Sequence, residues 1–423
     1  MNCVKITPLN LFGNINVPPS KSLCHRAIIA AGLANGTSTI SNVVFSNDIN
    51  ATCNAMRDLG VEVQKNKDSI TIKGNNLLNC IKNEIDCGES ASTLRFLIPV
   101  ALSTAEKITF TGKEGLRKRP LDPYLKIFQD QKIPYTYNDG LPLSVNGILT
   151  AGDYEIEGNI SSQFLTGLMF ALPLLEGDSR IIVTTNLESK GYVDLTIDIL
   201  KKFSVKIGNN NNQEFYIKGG QKYVAADYTT ESDYSQAAFW LVAGILGDEI
   251  GCRGLNITSL QGDRKILDII SDMGGSLHIK RSRIVTNASR TRGITIDASQ
   301  IPDLVPIISV LASVSEGTTD IINAGRLRIK ESDRLKSTAT ELKKLGADVT
   351  EKDDGLIIKG KEKLKGGVVE SWNDHRIAMA MSVASIRCTE PVIIRGSNAI
   401  NKSYPSFYKD FAMLGGSIEE FTE

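Results

Sequence analysis

The stretch DLGVEV at residues 58–63, followed by SITIKG at residues 69–74, decides the fold because the chain repeats its pattern. In each copy an amphipathic run ends at a turn residue, and a strand, a second turn and another strand follow. The copies recur about every 70 residues, and such regular spacing indicates a repeat architecture. Aligned on the turn residue, the six copies carry there Gly60, Lys132, Ser204, Gly274, Gly346 and Gly415.

The turn residue favours a helix-to-strand junction in every copy. Glycine is expected where a helix ends in the left-handed conformation, and four of the six aligned positions are glycine. The alternating apolar and polar residues beyond the turn predict a half-buried strand. A unit of about 70 residues is too small to bury a core well alone, so we expect three units in each domain. We therefore predict an α/β protein of two three-repeat domains.

The repeats place the predicted domains at residues 19–227 and 228–423. The sixth copy leaves no room for its second strand, because the sequence ends at Glu423. The apolar strand around residues 3–7 can take that place. We therefore expect residues 1–18 to complete the second domain, so that the chain crosses between the domains twice.

The composition excludes several classes of protein. Lys plus Arg equals Asp plus Glu at 48 each among 423 residues, so the net charge gives no case for nucleic-acid or membrane binding. The sequence shows no apolar stretch long enough for a bilayer and no signal peptide. The seven cysteines are odd in number, and none stands with a histidine at metal-ligand spacing. We expect a cytoplasmic monomer that binds small molecules and no metal.

Five predicted helices begin with residues suited to holding an anion. A Ser, Asn or Asp that can cap a helix precedes an apolar helical run, and cations stand close by. Backbone N–H groups, the positive end of the helix dipole and a cationic side chain can then meet at one anion. Such starts in both halves favour a shared anion site over unrelated surface helices. The segments are PPSKSLCHR at 18–26, DCGESASTLR at 86–95, SSQF at 161–164, RIKESDRL at 328–335 and NDHR at 373–376.

These segments, with RKRP at 117–120, IPD at 301–303 and NKSYP at 401–405, resemble the 5-enolpyruvylshikimate-3-phosphate synthase family. The family fold, two inside-out α/β barrel domains of three repeats each, agrees with the periodicity. The resemblance implies transfer of the enolpyruvyl group of phosphoenolpyruvate to the 5-hydroxyl of shikimate 3-phosphate, with release of phosphate. It also implies addition and elimination through a tetrahedral intermediate, without a metal or an organic cofactor.

The resemblance implies roles for individual residues as well. Asp303 is the expected base for the 5-hydroxyl, Glu331 the expected proton shuttle at the methylene, and Lys21 spans both substrates. The residues expected around phosphoenolpyruvate are Lys21, Ala91, Arg119, Gln163, Arg334, Arg376 and Lys402. The residues expected around shikimate 3-phosphate are Lys21, Ser22, Arg26, Ser161, Ser162, Gln163, Ser189, Tyr192, Asp303 and Lys330.

Other interpretations stay open from the sequence. Asp303 could only cap a helix, and Glu331 could only pair with Arg334 on the same helix face. The sister transferase that acts on UDP-N-acetylglucosamine shares the repeat fold, but it carries a reactive cysteine where this chain has GKEGLRKR at 112–119. A non-catalytic anion-binding protein on the same scaffold is a further alternative, although it would be expected to lose Asp303 or Glu331.

One departure from the family pattern gives a prediction for inhibition by glyphosate. The loop that usually reads GNAGT reads GESAS at residues 88–92, so Ala91 replaces a glycine beside the expected phosphoenolpyruvate pocket. One extra methyl group crowds a ligand bulkier than the substrate more than the substrate itself. We expect Ala91→Gly to lower the inhibition constant of glyphosate about ten-fold. An inhibition constant equal to that of the parent would contradict this interpretation.

Overall fold

The computed structural model describes residues 1–76, 78–104, 106–280 and 282–423. Over these residues the chain forms thirteen α-helices and twenty-four strands. The helices are α1 Lys21–Leu33, α2 Asn47–Asp58, α3 Ala91–Ala101, α4 Glu114–Arg117, α5 Asp122–Asp130, α6 Ser162–Ala171, α7 Lys190–Lys202, α8 Tyr234–Leu246, α9 Ile266–Asp272, α10 Val305–Ser313, α11 Arg334–Lys344, α12 His375–Ala384 and α13 Phe407–Met413. Short 3-10 helices span Leu172–Leu174, Gly262–Lys265, Pro302–Leu304, Gly325–Ile329, Ser385–Arg387 and Ser397–Lys402.

The strands are short, as expected for repeated units of this length. They are β1 Asn2–Thr7, β2 Gly13–Asn16, β3 Asn35–Ser41, β4 Glu62–Lys65, β5 Ser69–Asn75, β6 Glu84–Asp86, β7 Lys107–Thr111, β8 Tyr135–Thr136, β9 Leu143–Asn146, β10 Asp153–Ile156, β11 Ser179–Val183, β12 Ile207–Asn210, β13 Glu214–Ile217, β14 Tyr228–Thr229, β15 Ile250–Arg253, β16 Ser276–Lys280, β17 Arg283–Asn287, β18 Thr295–Asp297, β19 Thr318–Ile322, β20 Asp348–Lys352, β21 Gly355–Lys359, β22 Gly367–Glu370, β23 Val392–Arg395 and β24 Ser417–Thr422.

The described strands form six four-stranded sheets with one shared topology. In each sheet an edge strand pairs in parallel with a central strand, and two further strands complete the sheet with antiparallel pairing. These two strands form a β-hairpin in five of the sheets, and in the sixth they are β1 and β24. The strand orders are β14-β3-β5-β4, β6-β7-β9-β8, β10-β11-β13-β12, β2-β15-β17-β16, β18-β19-β21-β20 and β22-β23-β1-β24. Each sheet is built around one sequence repeat, and β14, β2 and β1 join three of the sheets from elsewhere in the chain.

The turn residue predicted at each helix-to-strand junction adopts the left-handed conformation in all six copies. The glycines at this place have φ values between 87° and 94°, for Gly346 and Gly415 respectively. Lys132 and Ser204 adopt φ values of 55° and 67° at the equivalent places. The predicted helix ends are therefore confirmed, and the geometry holds even where the sequence does not offer glycine.

The chain divides into two compact units, which we call the first unit, residues 19–231, and the second unit, residues 1–18 and 232–423. Each unit holds three of the sheets and one hydrophobic core. The short strand Tyr228–Thr229 pairs with β3 and belongs to the first unit, beyond the boundary at residue 227 derived from the sequence. β2 makes the matching parallel pairing with β15 in the second unit.

The first strand of the chain completes the sheet of the last repeat. β1 pairs antiparallel with β23 and with β24, with Val4 opposite Ile394 and Glu420. It therefore holds the position that β5, β9, β13, β17 and β21 hold in the other sheets. The expected partner for the strand around residues 3–7 is confirmed.

Some helices lie in the interior of each unit, because they are buried on every face. All thirteen residues of α8, Tyr234–Leu246, are buried, and so are nearly all residues of α1 and α6. A helix that is apolar on all sides needs a surrounding layer of other elements. Across the described parts of the chain, no helix has both the length and the apolar character needed to cross a membrane.

Two equivalent turn glycines allow backbone strain to be separated from steric clash. Gly274 and Gly60 have φ values of 88° and 90°. A Cβ on Gly274 would meet only Arg290 O at 3.9 Å, whereas a Cβ on Gly60 would lie 2.1 Å from Asn79 O. We expect Gly274→Ala to lower the free energy of unfolding by about 1–2 kcal/mol, the cost of left-handed backbone.

Gly60→Ala should lose at least about 1 kcal/mol more, because a backbone oxygen must also move. Urea unfolding of both variants beside the parent measures the two effects. Equal losses in the two variants would contradict the steric part of this account.

Candidate active site

The predicted helix starts are confirmed, and each begins with a buried or half-buried cap. In the first unit Ser20, Ser90 and Ser161 cap α1, α3 and α6, and each hydroxyl accepts a backbone N–H bond. In the second unit Asp333 and Asp374 cap α11 and α12 in the same way. These starts lie inside the units, so their polar groups sit beside buried positive helix ends.

Lys21, the first residue of α1, is held by a carboxylate that the sequence interpretation missed. Its Nζ lies 2.6 Å from Asp48 Oδ2, and both side chains are mostly buried. Asp48 stands in the first turn of α2, where an acidic residue is favoured by the helix dipole. Its position in a helix first turn already explains an acidic residue, so the sequence does not reveal that Asp48 also pairs with Lys21.

Arg26 is a buried cation that the described residues surround with neutral acceptors. Its guanidinium donates to Thr196 Oγ1 at 2.8 Å, to the carbonyl oxygen of Ser22 at 2.8 Å and to that of Tyr192 at 3.1 Å. The guanidinium carbon also lies 5.0 Å from the centre of the Phe96 ring. Burial lowers the pKa of Arg26 to about 10, so the group stays a cation at neutral pH. A buried cation with neutral partners favours an anionic ligand nearby.

The start of α3 is tied to Gln163 by its side-chain amide. Gln163 Nε2 donates to Ser92 Oγ at 3.0 Å, and its Oε1 accepts from Arg95 at 2.9 Å. Arg95 also donates to the carbonyl oxygen of Pro120 at 2.8 Å. Ala91 is the first residue of α3 and is buried. Arg95 therefore positions Gln163, a role that its place in an apolar helical run did not reveal.

The remaining expected residues of the first unit are mostly buried. Arg119, Ser161, Ser162 and Ser189 are each less than a tenth exposed. Ser189 has a φ of 53° and precedes α7 without capping it through its side chain. Tyr192 lies in the first turn of α7 with its ring 5.8 Å from the Arg26 guanidinium carbon. Burial of so many hydroxyl and cationic groups is typical of a binding site rather than a core.

In the second unit Arg334 is the centre of a cluster of three carboxylates. Its Nε lies 2.8 Å from Asp374 Oδ2, its Nη1 2.7 Å from Asp303 Oδ1 and its Nη2 2.5 Å from Glu331 Oε2. The Arg334 side chain is 1% exposed and that of Asp374 is fully buried. Asp374 stands at one of the predicted helix starts, and it serves as both cap and counter-ion.

Arg376 shares Asp303 with Arg334. Its Nη2 lies 2.9 Å from Asp303 Oδ2 and donates to Ser235 Oγ at 3.0 Å. Ser235 in turn donates to Asp233, the cap of α8, at 2.6 Å. Asp303 lies in the 3-10 turn before α10, where Ile301 and Leu304 hold the cap positions. Its carboxylate pairs with both arginines. The alternative that Asp303 only caps a helix is therefore wrong.

Glu331 pairs with Arg334, the contact that the alternative interpretation of Glu331 had proposed. Lys330, beside it in the chain, is a lysine whose pKa burial lowers to about 8, although Asp303 opposes this shift. Lys402 Nζ donates to the carbonyl oxygen of Asn373, just before α12. Arg326 is buried and donates to the carbonyl oxygen of Ser299 at 2.9 Å.

The electrostatics of the cluster keep Asp303 ionised. Burial alone would raise the pKa of Asp303, but Arg376, Arg334 and Lys330 hold it well below its usual range. Burial alone would lower the pKa of Arg334, but Asp374, Glu331 and Asp303 raise it well above its usual range. The cluster can hold anions through its cations and can exchange protons through its carboxylates. Within the described ranges, no group of three or more His, Cys, Asp or Glu side chains is arranged to hold a metal ion.

Comparisons with known proteins identify the family and agree with the fold. The family model "EPSP synthase (3-phosphoshikimate 1-carboxyvinyltransferase)" matches residues 6–411. A 3-phosphoshikimate 1-carboxyvinyltransferase from Clostridium novyi is 58% identical, over 100% of this chain and 99% of its own. The enzyme of that name from Clostridium kluyveri is 56% identical, with the same coverage.

Two solved structures resemble the fold over the whole chain. An EPSP synthase from Acinetobacter baumannii superposes with a TM-score of 0.85 and 27% identity, covering 100% of both chains. The enolpyruvyl transferase NikO from Streptomyces tendae superposes with a TM-score of 0.81, covering 100% of this chain and 99% of its own. At 16% identity NikO shows the fold alone. The predicted fold of two inside-out three-repeat domains is confirmed.

The pair of Arg334 and Asp374 should carry much of the stability of this cluster. Asp374→Asn keeps a side chain that can cap α12 but removes the charge opposite a buried guanidinium. We expect a loss of about 3 kcal/mol in the free energy of unfolding, as for a broken buried ion pair.

Asp333→Asn is the matched control, because Asp333 also caps a helix but pairs with the more exposed Arg328. Its loss should stay below about 1 kcal/mol. Chemical denaturation of both variants measures the two losses in the free energy of unfolding. Similar losses would show that the buried pair stabilises the protein no more than the exposed one.

Proposed function

We propose, since the chain belongs to the EPSP synthase family, that it transfers the enolpyruvyl group of phosphoenolpyruvate to the 5-hydroxyl of shikimate 3-phosphate and releases phosphate. The observation that carries the proposal is the cluster around Arg334, where two arginines lie against Asp303 and Glu331. Both substrates are anions. The reaction also removes a proton from the 5-hydroxyl and adds one to the methylene carbon. The cluster has cations for the first need and carboxylates for the second.

We assign the residues of each unit to the two substrates by chemical type. Arginines suit two-pronged binding of carboxylate and phosphate, and lysines act as point charges. We assign to phosphoenolpyruvate Lys21, Ala91, Arg119, Gln163, Arg334, Arg376 and Lys402. We assign to shikimate 3-phosphate Lys21, Ser22, Arg26, Ser161, Ser162, Gln163, Ser189, Tyr192, Asp303 and Lys330.

Asp303 is the proposed base for the 5-hydroxyl. A base works best when its pKa lies near the working pH, and the pKa of Asp303 in this cluster lies far below it. Phosphoenolpyruvate bound at Arg334 and Arg376 would neutralise two of the three cations that hold the pKa of Asp303 down. Its pKa would then rise, so the substrate that needs the base also activates it.

The remaining proton transfers are assigned to Glu331. As the hydroxyl oxygen bonds to C2 of phosphoenolpyruvate, the methylene carbon takes a proton and becomes a methyl group. In the elimination step the methyl group returns a proton, the bond from C2 to the phosphate oxygen breaks and phosphate leaves. Glu331 is the carboxyl group proposed to give and take this proton, while Arg334 orients it through their hydrogen bond. Lys21 is placed to stabilise the charge that develops between the substrates.

We also propose that the chain acts as a monomer in the cytoplasm. Its cysteines are thiols in the structure, which suits a reducing compartment. Sedimentation at micromolar concentration should give a mass near 46.0 kDa.

A phosphate-release assay with both substrates tests the function. Asp303→Ala and Glu331→Ala should each lower kcat at least about 10²-fold, because each removes a proton-transfer group. Asp320→Ala is the control, since Asp320 is a half-exposed carboxylate paired with Lys352. Its turnover should match the parent.

The same assay distinguishes the alternatives. Phosphate release with UDP-N-acetylglucosamine in place of shikimate 3-phosphate would favour the sister transferase. Binding of both anions without any turnover would favour an anion-binding protein. Full turnover in both alanine variants would overturn the assignment of the two carboxylates.

A further inference from the structure

A chain of side-chain hydrogen bonds crosses the interior of the first unit from α1 to α3. His25 Nδ1 lies 2.6 Å from Thr52 Oγ1, which lies 2.6 Å from Thr93 Oγ1. Thr93 Oγ1 donates to Ser90 Oγ at 2.8 Å. All four residues are buried, with relative exposures of 0% or 1%. Nothing in the proposed chemistry uses His25, Thr52 or Thr93.

The last hydrogen bond, from Thr93 to Ser90, fixes the direction of the other hydrogen bonds in this series. Since the Thr93 hydroxyl hydrogen goes to Ser90, Thr93 Oγ1 must accept from Thr52. Since the Thr52 hydrogen goes to Thr93, Thr52 Oγ1 must accept from His25. A hydroxyl has only one hydrogen to donate. His25 must therefore carry its proton on Nδ1.

The other ring nitrogen of His25 is consistent with that tautomer. Nε2 is buried and has no hydrogen-bond partner among the described residues. Burial, with Lys21 and Arg26 close by, lowers the pKa of His25 well below its usual value, so the ring is neutral. A bare Nε2 leaves one acceptor unused, whereas a protonated Nε2 would leave a buried donor unused and deprive Thr52 of its donor.

Helix α2 connects this chain to Lys21. Lys21 and His25 lie one turn apart on α1, and their partners Asp48 and Thr52 lie one turn apart on α2. The two helices are thus joined by two side-chain bonds in matching register. A shift of α2 would disturb Lys21 and the start of α3 together.

The hydrogen-bond chain ends at Ser90, beside the first turn of α3. Ser90 Oγ accepts from the backbone N–H of Thr93 at 3.2 Å and so caps the helix. Ala91 and Ser92 follow directly, and Ser92 receives the amide of Gln163. Ala91 and Ser92 are therefore positioned by the Ser90 cap, which is itself held by its hydrogen bond from Thr93.

We propose that the His25–Thr52–Thr93–Ser90 chain positions the first turn of α3 for binding phosphoenolpyruvate, with His25 as its terminal donor in the Nδ1–H tautomer. The proposal rests on the proposed function, because it takes Ala91 and Gln163 as contacts of that substrate. His25 and Thr52 act through other residues and touch no substrate, so they are positioning residues.

Thr52→Val tests the chain at its middle, because valine keeps the shape of threonine and removes the hydroxyl. Loss of one buried hydrogen bond changes a binding constant by about 2–10-fold. We expect KM for phosphoenolpyruvate to rise by about five-fold, and KM for shikimate 3-phosphate to stay within about two-fold of the parent. Thr52→Ser restores a hydroxyl and should restore KM for phosphoenolpyruvate.

Thr319→Val controls for the general effect of losing a buried threonine hydroxyl. Thr319 is fully buried in β19, and its hydroxyl has no hydrogen-bond partner among the described residues. Its two KM values should equal those of the parent. Thermal unfolding of all three variants separates a change in stability from a change in positioning.

A measurement on the parent protein tests the tautomer without any variant. The chain has three histidines, so long-range ¹⁵N–¹H spectra can be assigned with His25→Asn. The proposal expects a protonated Nδ1 and an unprotonated Nε2 at His25 at neutral pH. An Nε2–H tautomer, or an imidazolium, would overturn the chain, whether or not Thr52→Val folds.

The kinetic outcomes separate this proposal from the proposed function. A parent protein without turnover would refute the function and leave the tautomer as the test of the chain. An active parent whose Thr52→Val variant keeps its KM for phosphoenolpyruvate, or raises both KM values alike, would overturn the positioning role.

Discussion

The buried guanidinium of Arg334 is the interaction on which the second unit depends. A cation with 1% exposure would be costly without partners, and three carboxylates meet it at hydrogen-bond distance. Those carboxylates come from three different segments: Asp303 precedes α10, Glu331 precedes α11 and Asp374 caps α12. One side chain therefore holds the starts of three helices in register. The same contacts leave Asp303 and Glu331 beside cations that can bind anionic substrates.

The inside-out arrangement explains why polar groups gather within the units. Helices such as α8 are buried on all faces, so their N-terminal ends lie inside, where free N–H groups must find partners. Caps such as Asp233 and Asp374 satisfy these groups, and the positive helix ends favour anions. A site for anionic substrates can therefore be built at the helix starts, while the cores stay apolar.

The sequence predicted the repeats well because their signal is local. A glycine after an amphipathic run marks each helix end, and the spacing shows through even where Lys132 and Ser204 replace glycine. The helix starts were also predictable, since a cap and an apolar run are neighbours in the sequence. The pairing of β1 with β24 followed from a missing strand, which is a counting argument.

The partners of the site residues were harder to predict, because they are contacts between distant segments. Asp48 lies 27 residues from Lys21 and looks like an ordinary first-turn acid. Asp374 lies 40 residues from Arg334 and looks like an ordinary cap. The His25–Thr52–Thr93–Ser90 chain joins three helices through hydroxyl groups that no motif marks. Residue type indicates which groups can bind an anion, but only the fold shows which group holds which.

The proposed chemistry requires that substrate anions release Asp303 from its arginines and make it a base. The direct measurement is the titration of the Asp303 carboxyl carbon by ¹³C NMR, assigned with Asp303→Asn, without ligand and with saturating phosphoenolpyruvate alone. The account predicts that Asp303 stays ionised without ligand far below its usual pKa, and that phosphoenolpyruvate raises its pKa. An ordinary pKa in the free protein, or the same pKa with and without phosphoenolpyruvate, would contradict it.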